Sequence, residues 1–221
     1  MSNRVFKAAM TLAMPLAWAC IATGVASAQA TDDGKSEFAL GIGYAHVKIG
    51  SEDSVLHSED MLKFDGALSF APFKAVQQFR LGMALGVGMV LDNSERTIIS
   101  NGGLVIIGSS DVPLLLLEPE ARFSWQQWLA NDRFYIEPGV GVGGMFANLN
   151  IDSDNPAIHD SIDKWDSSPS ARAFINIGMP LDGGVAGIQA SYLWADNLDL
   201  ARNVRGEVGE FYIGFFGAIR F

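Results

Sequence analysis

Cysteine is nearly absent: the 221 residues include one, Cys20. It lies in an N-terminal stretch built like an export signal, with a basic start at Arg4 and Lys7, an apolar run from Ala8 to Ala22, and a small-residue site at Ala26-Ser27-Ala28. A retained anchor, or lipoprotein processing at Cys20, fits these flanks less well. Residues 1–28 carry two basic residues and no acidic ones, so cleavage after Ala28 leaves one domain, 29–221, of 193 residues and formal charge −12. Without cysteine, that domain cannot use disulfides, thiolate catalysis or Cys-ligated metal. Positive charge is scarce as well, 15 Lys and Arg against 25 Asp and Glu. No basic footprint exists for phosphate backbones, and nucleic acid is not an expected partner. Nor does the mature region hold a spanning helix, because Gly108-Ser109-Ser110-Asp111 interrupts its longest apolar stretch.

Helical stripes are also hard to find; alternation with period two dominates. From Gln78 to Asp92, one face reads Phe79, Leu81, Met83, Leu85, Val87, Met89, Leu91, and the other Gln78, Arg80, Gly82, Ala84, Gly86, Gly88, Val90, Asp92. The same division recurs in Glu37 to Ile49, Met61 to Phe70 and Arg133 to Phe146. A strand with water on its outer side would show Lys, Glu and Thr there, whereas these show large apolar residues against glycine and isolated charge. Apolar-out and small-or-charged-in is the pattern of a barrel in lipid, and closure satisfies backbone groups that hydrocarbon cannot.

Four more segments complete the set: one ending Glu118 to Trp125, then Ala171 to Leu181, Val185 to Ala195 and Glu207 to Phe221. The expected fold is therefore all-β, an eight-stranded antiparallel up-and-down transmembrane β-barrel. Short links at Pro72 to Val76, Gln126 to Asp132 and Asp182 to Gly184 alternate with longer ones at Gly50 to Asp60, Asn93 to Gly103, Ile151 to Pro169 and Asp196 to Gly206. Short turns belong on the periplasmic side and long loops outside. Aromatics such as Phe70, Trp125 and Phe134 at one end, and Tyr44, Phe64, Phe146 and Trp194 at the other, suit two interfacial girdles. Leu114 to Leu117, between Pro113 and Pro119, occupy both faces, so a bulge or shifted register is expected there. Glu95 to Ser100 and Leu104 to Ile107, around Asn101-Gly102-Gly103, predict a hairpin that carries the third and fourth strands above the membrane.

The closing stretch Phe211 to Phe221 alternates apolar residues back from a terminal Phe, with Ile213, Phe215, Ile219 and Phe221 on one face. It resembles the C-terminal signal of Gram-negative outer-membrane proteins, which the barrel-assembly machinery recognises. With the export signal and eight strands, the chain is similar to the small OmpA/OmpX, opacity and OmpW-like barrels. That resemblance implies the outer membrane as location, with its lipid and lipopolysaccharide as partners and the loops as the place where a surface protein would be met. It implies no single activity, because the fold hosts several.

Facing the polar sides inward gathers Lys63, Arg80, Arg122 and Arg172 with Asp65, Asp92, Glu118, Glu120 and Glu137, to which Arg220 and Glu210 add a further pair of opposite charges. An eight-stranded barrel is just wide enough for side chains to fill, so these charges are expected to pair and plug the lumen; a narrow ion path is the alternative. Asp152, Asp154, Asp160, Asp163 and Asp166 give the third outer loop its acidity, without the glycine and closing glutamate of an EF-hand. Arg202 and Arg205 are available to lipopolysaccharide phosphates or to loop acids. The three histidines, His46, His57 and His159, stand in no recognisable Ser-His motif. No enzyme activity, metal or cofactor is expected. Two main functional readings stay open: a non-enzymatic surface barrel displaying acidic loops and the hairpin for adhesion or envelope integrity, and an OmpW-like conduit for small hydrophobic molecules, lined in part by Leu114 and Leu116; lipid modification by scattered loop residues is a third, less favoured one.

Overall fold

The computed structural model describes residues 36–50, 58–73, 76, 78–90, 96–99, 105–109, 113–130, 133–153, 161–181, 184–202 and 204–221. The strands are β1 (Glu37–Ile49), β2 (Glu59–Phe70), β3 (Phe79–Val90), β4 (Arg96–Ile99), β5 (Val105–Ser109), β6 (Leu114–Trp125), β7 (Gln127–Leu129), β8 (Phe134–Ser153), β9 (Ser161–Leu181), β10 (Gly184–Ala201) and β11 (Val204–Arg220). Eight of them, β6-β3-β2-β1-β11-β10-β9-β8, form a continuous antiparallel circuit that closes where β8 pairs with β6. The wall is thus a closed eight-stranded barrel, and β7 prolongs the β6 side along β8 past Gln126. Ser36 and Phe221 exchange backbone hydrogen bonds of 3.0 Å, which ties the first strand to the last at one end.

Alternation sets the faces as the sequence predicts. Leu40, Met83, Val140, Ile177 and Phe215 lie exposed on the outside, while Lys63, Arg80, Glu118 and Arg172 are buried inside. The outward aromatics form two rings, with Tyr44, Phe64, Phe146, Tyr192, Trp194 and Phe211 nearer the hairpin and Phe70, Phe123, Trp125, Phe134 and Phe221 nearer the termini. About 9–11 residues cross a bilayer. The 12 or 13 residues of β1, β2, β3 and β6 match that span, whereas the 20, 21, 18 and 17 of β8 to β11 exceed it.

This excess corrects two expected loops. Residues Ile151 to Pro169 and Asp196 to Gly206 are largely strand, since β8 runs to Ser153, β9 starts at Ser161, β10 reaches Ala201 and β11 begins at Val204. Asp152, Asp163 and Asp166 accordingly belong to strands; Asp154 and Asp160 lie outside the described residues. The physical reason is a change of solvent. Above the lipid the outer face meets water, so a strand there carries Asp, Asn and Ser outward and reads as loop by composition.

The expected irregularity of the fourth strand is corrected in part. Pairing of β6 with β3 runs unshifted from Phe79 opposite Trp125 to Val90 opposite Leu114, with Leu114 and Leu116 buried inside. Pairing with β8 lapses only at Glu118 and Pro119, where proline lacks a ladder N–H. The hairpin forms as β4 and β5, from Arg96 opposite Gly108 to Ile99 opposite Val105. It carries the β3–β6 pair onward in unchanged register, Val90 opposite Leu114 and then Arg96 opposite Gly108, as the sequence predicts. Beyond β6, β5 goes on pairing with the end of β8, Gly108 opposite Ser153 and Ser109 opposite Asp152, with a two-residue shift from the β6–β8 register. Among the described strands, β4 pairs with β5 alone and stands last in the sheet order. The intervening Asn101-Gly102-Gly103 and Asp92 lie outside the described residues.

Candidate functional site: the barrel interior and rim

Inward side chains of β2, β6, β9 and β11 converge on one charged network. Arg172 donates from Nε to Glu120 at 3.0 Å, from Nη1 to Glu210 at 3.3 Å and to Ser191 at 2.9 Å, and from Nη2 to Glu118. Lys63 donates to both Glu118 and Glu210. Arg122 completes it, giving Nη2 to Asp65 at 2.7 Å and Nε to Glu120 at 2.5 Å. All seven charged groups are buried. Taking one partner from a buried pair costs about 3–5 kcal/mol, because the remaining charge stays desolvated and uncompensated.

Glycine makes room for this network. A Cβ on Gly86 would sit 2.9 Å from Glu118 Oε2 and 3.0 Å from Lys63 Cε, and one on Gly141 would sit 2.8 Å from Glu120 Oε2. Inward glycines are therefore the complement of large charged neighbours in a narrow bore.

The other predicted lumen residues lie toward the termini. Arg80 donates to Ser69 Oγ from Nε at 3.1 Å and from Nη2 at 2.9 Å. Glu137 accepts from Ser124 at 2.5 Å and from Asn176 at 3.2 Å. Between these groups and the network lies a small cavity of about 40 Å³ of mixed lining, with Asp65, Arg122, Glu137 and Asn176 on its border beside Leu68 and Phe174. That is room for a few waters at most. Beneath it, Arg220 donates to Glu37 at 2.9 Å and lies 4.7 Å from the Trp128 ring centre. Glu210 is inward, as the sequence predicts; Glu37 lies outside the sequence-derived set, and its inward parity on β1 is the signal that finds it.

On the hairpin side the interior changes character. Ala45, Val47, Ile49, Met61, Val90, Leu114, Leu116, Met145, Leu149, Ile151, Leu193, Leu198, Leu200, Val204 and Val208 form one buried apolar cluster. Tyr212 belongs to it and also lies with its ring centre 5.6 Å from Lys63 Nζ, joining the two layers. The lumen thus carries ion pairs at one level and a hydrocarbon core at the next. Where the β9–β10 ladder ends at Ser170 opposite Ala195, side chains bridge the strands instead: Asp166 accepts from the Asp199 N–H at 2.5 Å, and Lys164 donates to the Asp199 carbonyl.

On the outer face, Ile213, Phe215, Ile219 and Phe221 form one outward row, with Phe215 71% exposed. A polar cluster that chain spacing does not reveal sits near the Tyr44 ring. His46 and Asp60 are opposite one another on β1 and β2. His46 Nδ1 lies 2.8 Å from Asp60 Oδ1, its Nε2 lies 2.8 Å from Ser58 Oγ, and Tyr44 donates to the same Asp60 oxygen. Register, not sequence proximity, brings the four together.

A comparison of the sequence with protein families finds no match, and neither does a comparison with curated proteins. Solved structures do match. Neisserial surface protein A is 11% identical, with 83% of this chain and 97% of that one covered and a TM-score of 0.49. Ail, the attachment invasion locus protein of Yersinia pestis, solved with the heparin analogue sucrose octasulfate, is 14% identical over 85% of this chain and 99% of that one, at 0.46. Outer membrane protein OprG from Pseudomonas aeruginosa is 11% identical over 84% and 96%, at 0.44. The likeness to these three structures is one of fold.

Proposed function

We propose that this protein is an outer-membrane surface barrel with an interior closed at two successive levels, whose outer strands and hairpin serve as a binding surface. The observation that supports it most is the stacking of the Lys63–Arg122–Arg172 network beneath the apolar cluster of Leu114, Leu116, Leu149 and Ile151. An ion crossing the bore would have to break buried ion pairs and then enter a hydrocarbon layer, and each step is opposed by desolvation. The strands continued past the aromatic ring, and the β4–β5 hairpin, supply structure beyond the lipid for a partner in the extracellular space or for neighbouring lipopolysaccharide. The outward row ending at Phe221 is the segment we read as the assembly signal. This reading asks no chemistry of the barrel.

The conduit reading has one observation in its favour, the inward placement of Leu114 and Leu116. Both are fully buried in the apolar cluster, however, so they fill the bore. Planar-bilayer recording of the folded chain separates the readings. A silent barrel is expected, together with binding to matrix or cell surfaces that falls when residues 96–109 are replaced by a short turn. Stable unitary conductance, or uptake of apolar solutes into vesicles, would overturn the closed-lumen reading.

A further inference from the structure

We propose that Ser58, His46 and Asp60 form a hydrolytic site on the outer wall of the barrel, acting on acyl esters of outer-leaflet lipid. The geometry is that of a nucleophile, a base and an orienting carboxylate in series. Asp60, accepting from His46 Nδ1 at 2.8 Å, fixes the tautomer that carries hydrogen on Nδ1. Nε2 is then left with a lone pair, 2.8 Å from Ser58 Oγ, in position to take the hydroxyl proton. Tyr44 donates to the same carboxylate oxygen and steadies it. The roles are recognised by geometry and not by order along the chain.

Placement selects the substrate class. Ser58 and Asp60 are exposed, and the cluster faces away from the lumen, beside the outward aromatics Tyr44, Phe64 and Phe211. Girdle aromatics mark the headgroup level, where a lipid's ester linkages lie between acyl tail and polar head. Toward the membrane centre, Ile42 and Phe64 offer an apolar wall for an acyl chain. Two residues beyond His46 on the same face, exposed Lys48 offers an ammonium to a headgroup phosphate. An ester-linked acyl lipid bearing phosphate satisfies all three, and both phospholipid and lipopolysaccharide supply that chemistry.

In the reaction, Ser58 Oγ attacks the ester carbonyl as its proton passes to His46 Nε2. The tetrahedral intermediate collapses, the ester C–O bond breaks, and His46 returns the proton to the departing alkoxide. Water, deprotonated by the same nitrogen, then attacks the acyl-Ser58 ester, releasing a fatty acid and restoring the hydroxyl. Ser58 and His46 are the catalytic residues, and Asp60 is a positioning residue.

The test uses the folded full chain in detergent and in two kinds of vesicle, one of phosphatidylethanolamine and one containing lipopolysaccharide. A fluorophosphonate probe is expected to label the protein at Ser58, and mass spectrometry to find released fatty acid in one or both vesicle arms, the arm naming the source. Ser58→Ala is expected to abolish labelling, and His46→Gln to lower the rate at least about 10²-fold. Asp60→Asn is expected to lower kcat with KM unchanged. Heat-modifiable gel migration reports whether each variant is folded. Absence of both adduct and fatty acid with folded protein would overturn the proposal, as would undiminished labelling or release in folded Ser58→Ala. A silent or conducting lumen has no bearing on this outcome, so the surface-barrel reading fails or stands separately.

Discussion

In the middle of β8, Gly139 and Gly141 face the lumen while Val140 and Val142 face out; a few residues further along the same strand, Leu149 and Ile151 fill the interior and Asn148 and Asn150 face out. The hydrogen-bond ladder does not change between these stretches. What changes is the solvent outside. Beside lipid, apolar side chains lose nothing by facing outward, and the bore takes the glycines and charges; beside water, the same strand buries its leucines as a soluble protein would. The two lumen fillings follow, a network of paired ions at one level and a hydrocarbon core at the other.

The comparison breaks most forcefully at the charged level. Arg172→Met removes the partner of Glu118, Glu120 and Glu210 at once. A loss of at least about 3–5 kcal/mol is expected in urea unfolding from vesicles, with restoration when the orphaned glutamates are also neutralised. A similar but smaller effect is expected at the apolar level, where Leu149→Ala leaves a cavity costing about 2–5 kcal/mol. Unlike Arg172→Met, it should not be rescued by neutralising any acid.

On β11 the outer face offers a direct contrast. Phe215→Arg puts a charge among acyl chains and should cost about 2–4 kcal/mol. Glu207→Arg, on the same face of that strand and beyond the aromatic ring, should stay within about 0.5 kcal/mol. Equal costs at the two positions would remove the solvent boundary from the account. The smallest effect is expected at Lys164, whose ammonium stands 3.9 Å from the Asp199 carboxylate beside its hydrogen bond to the Asp199 carbonyl, where water reaches both side chains. Lys164→Ala should cost no more than about 1 kcal/mol, less still at high salt.

The lipid-facing half of the fold was legible, because Phe79, Leu81, Met83, Leu85 and Val87 opposite Arg80, Gly82, Ala84 and Gly86 suit a barrel in lipid better than a water-soluble sandwich or barrel. The sequence misled on the outer half for the same physical reason. Asp152, Asn197 and Asp199 look like loop residues, yet Leu198 and Leu200 between and beside them are buried strand positions. Faces of the lumen charges were readable from parity, but not that Arg172 reaches three glutamates on two other strands, which depends on strand tilt and stagger. The Ser58, His46 and Asp60 contacts were hidden likewise, since they exist only in the β1–β2 register.

Cys20 is the single cysteine of the sequence and lies ahead of the barrel, so single cysteines placed along β11 report solvent directly. In vesicles, a membrane-impermeant maleimide should label Arg205→Cys and Glu207→Cys at once, while Ile213→Cys, Phe215→Cys and the inward Val208→Cys stay protected. Labelling of Phe215→Cys as fast as Glu207→Cys would contradict a barrel whose outer face passes from lipid to water along its length.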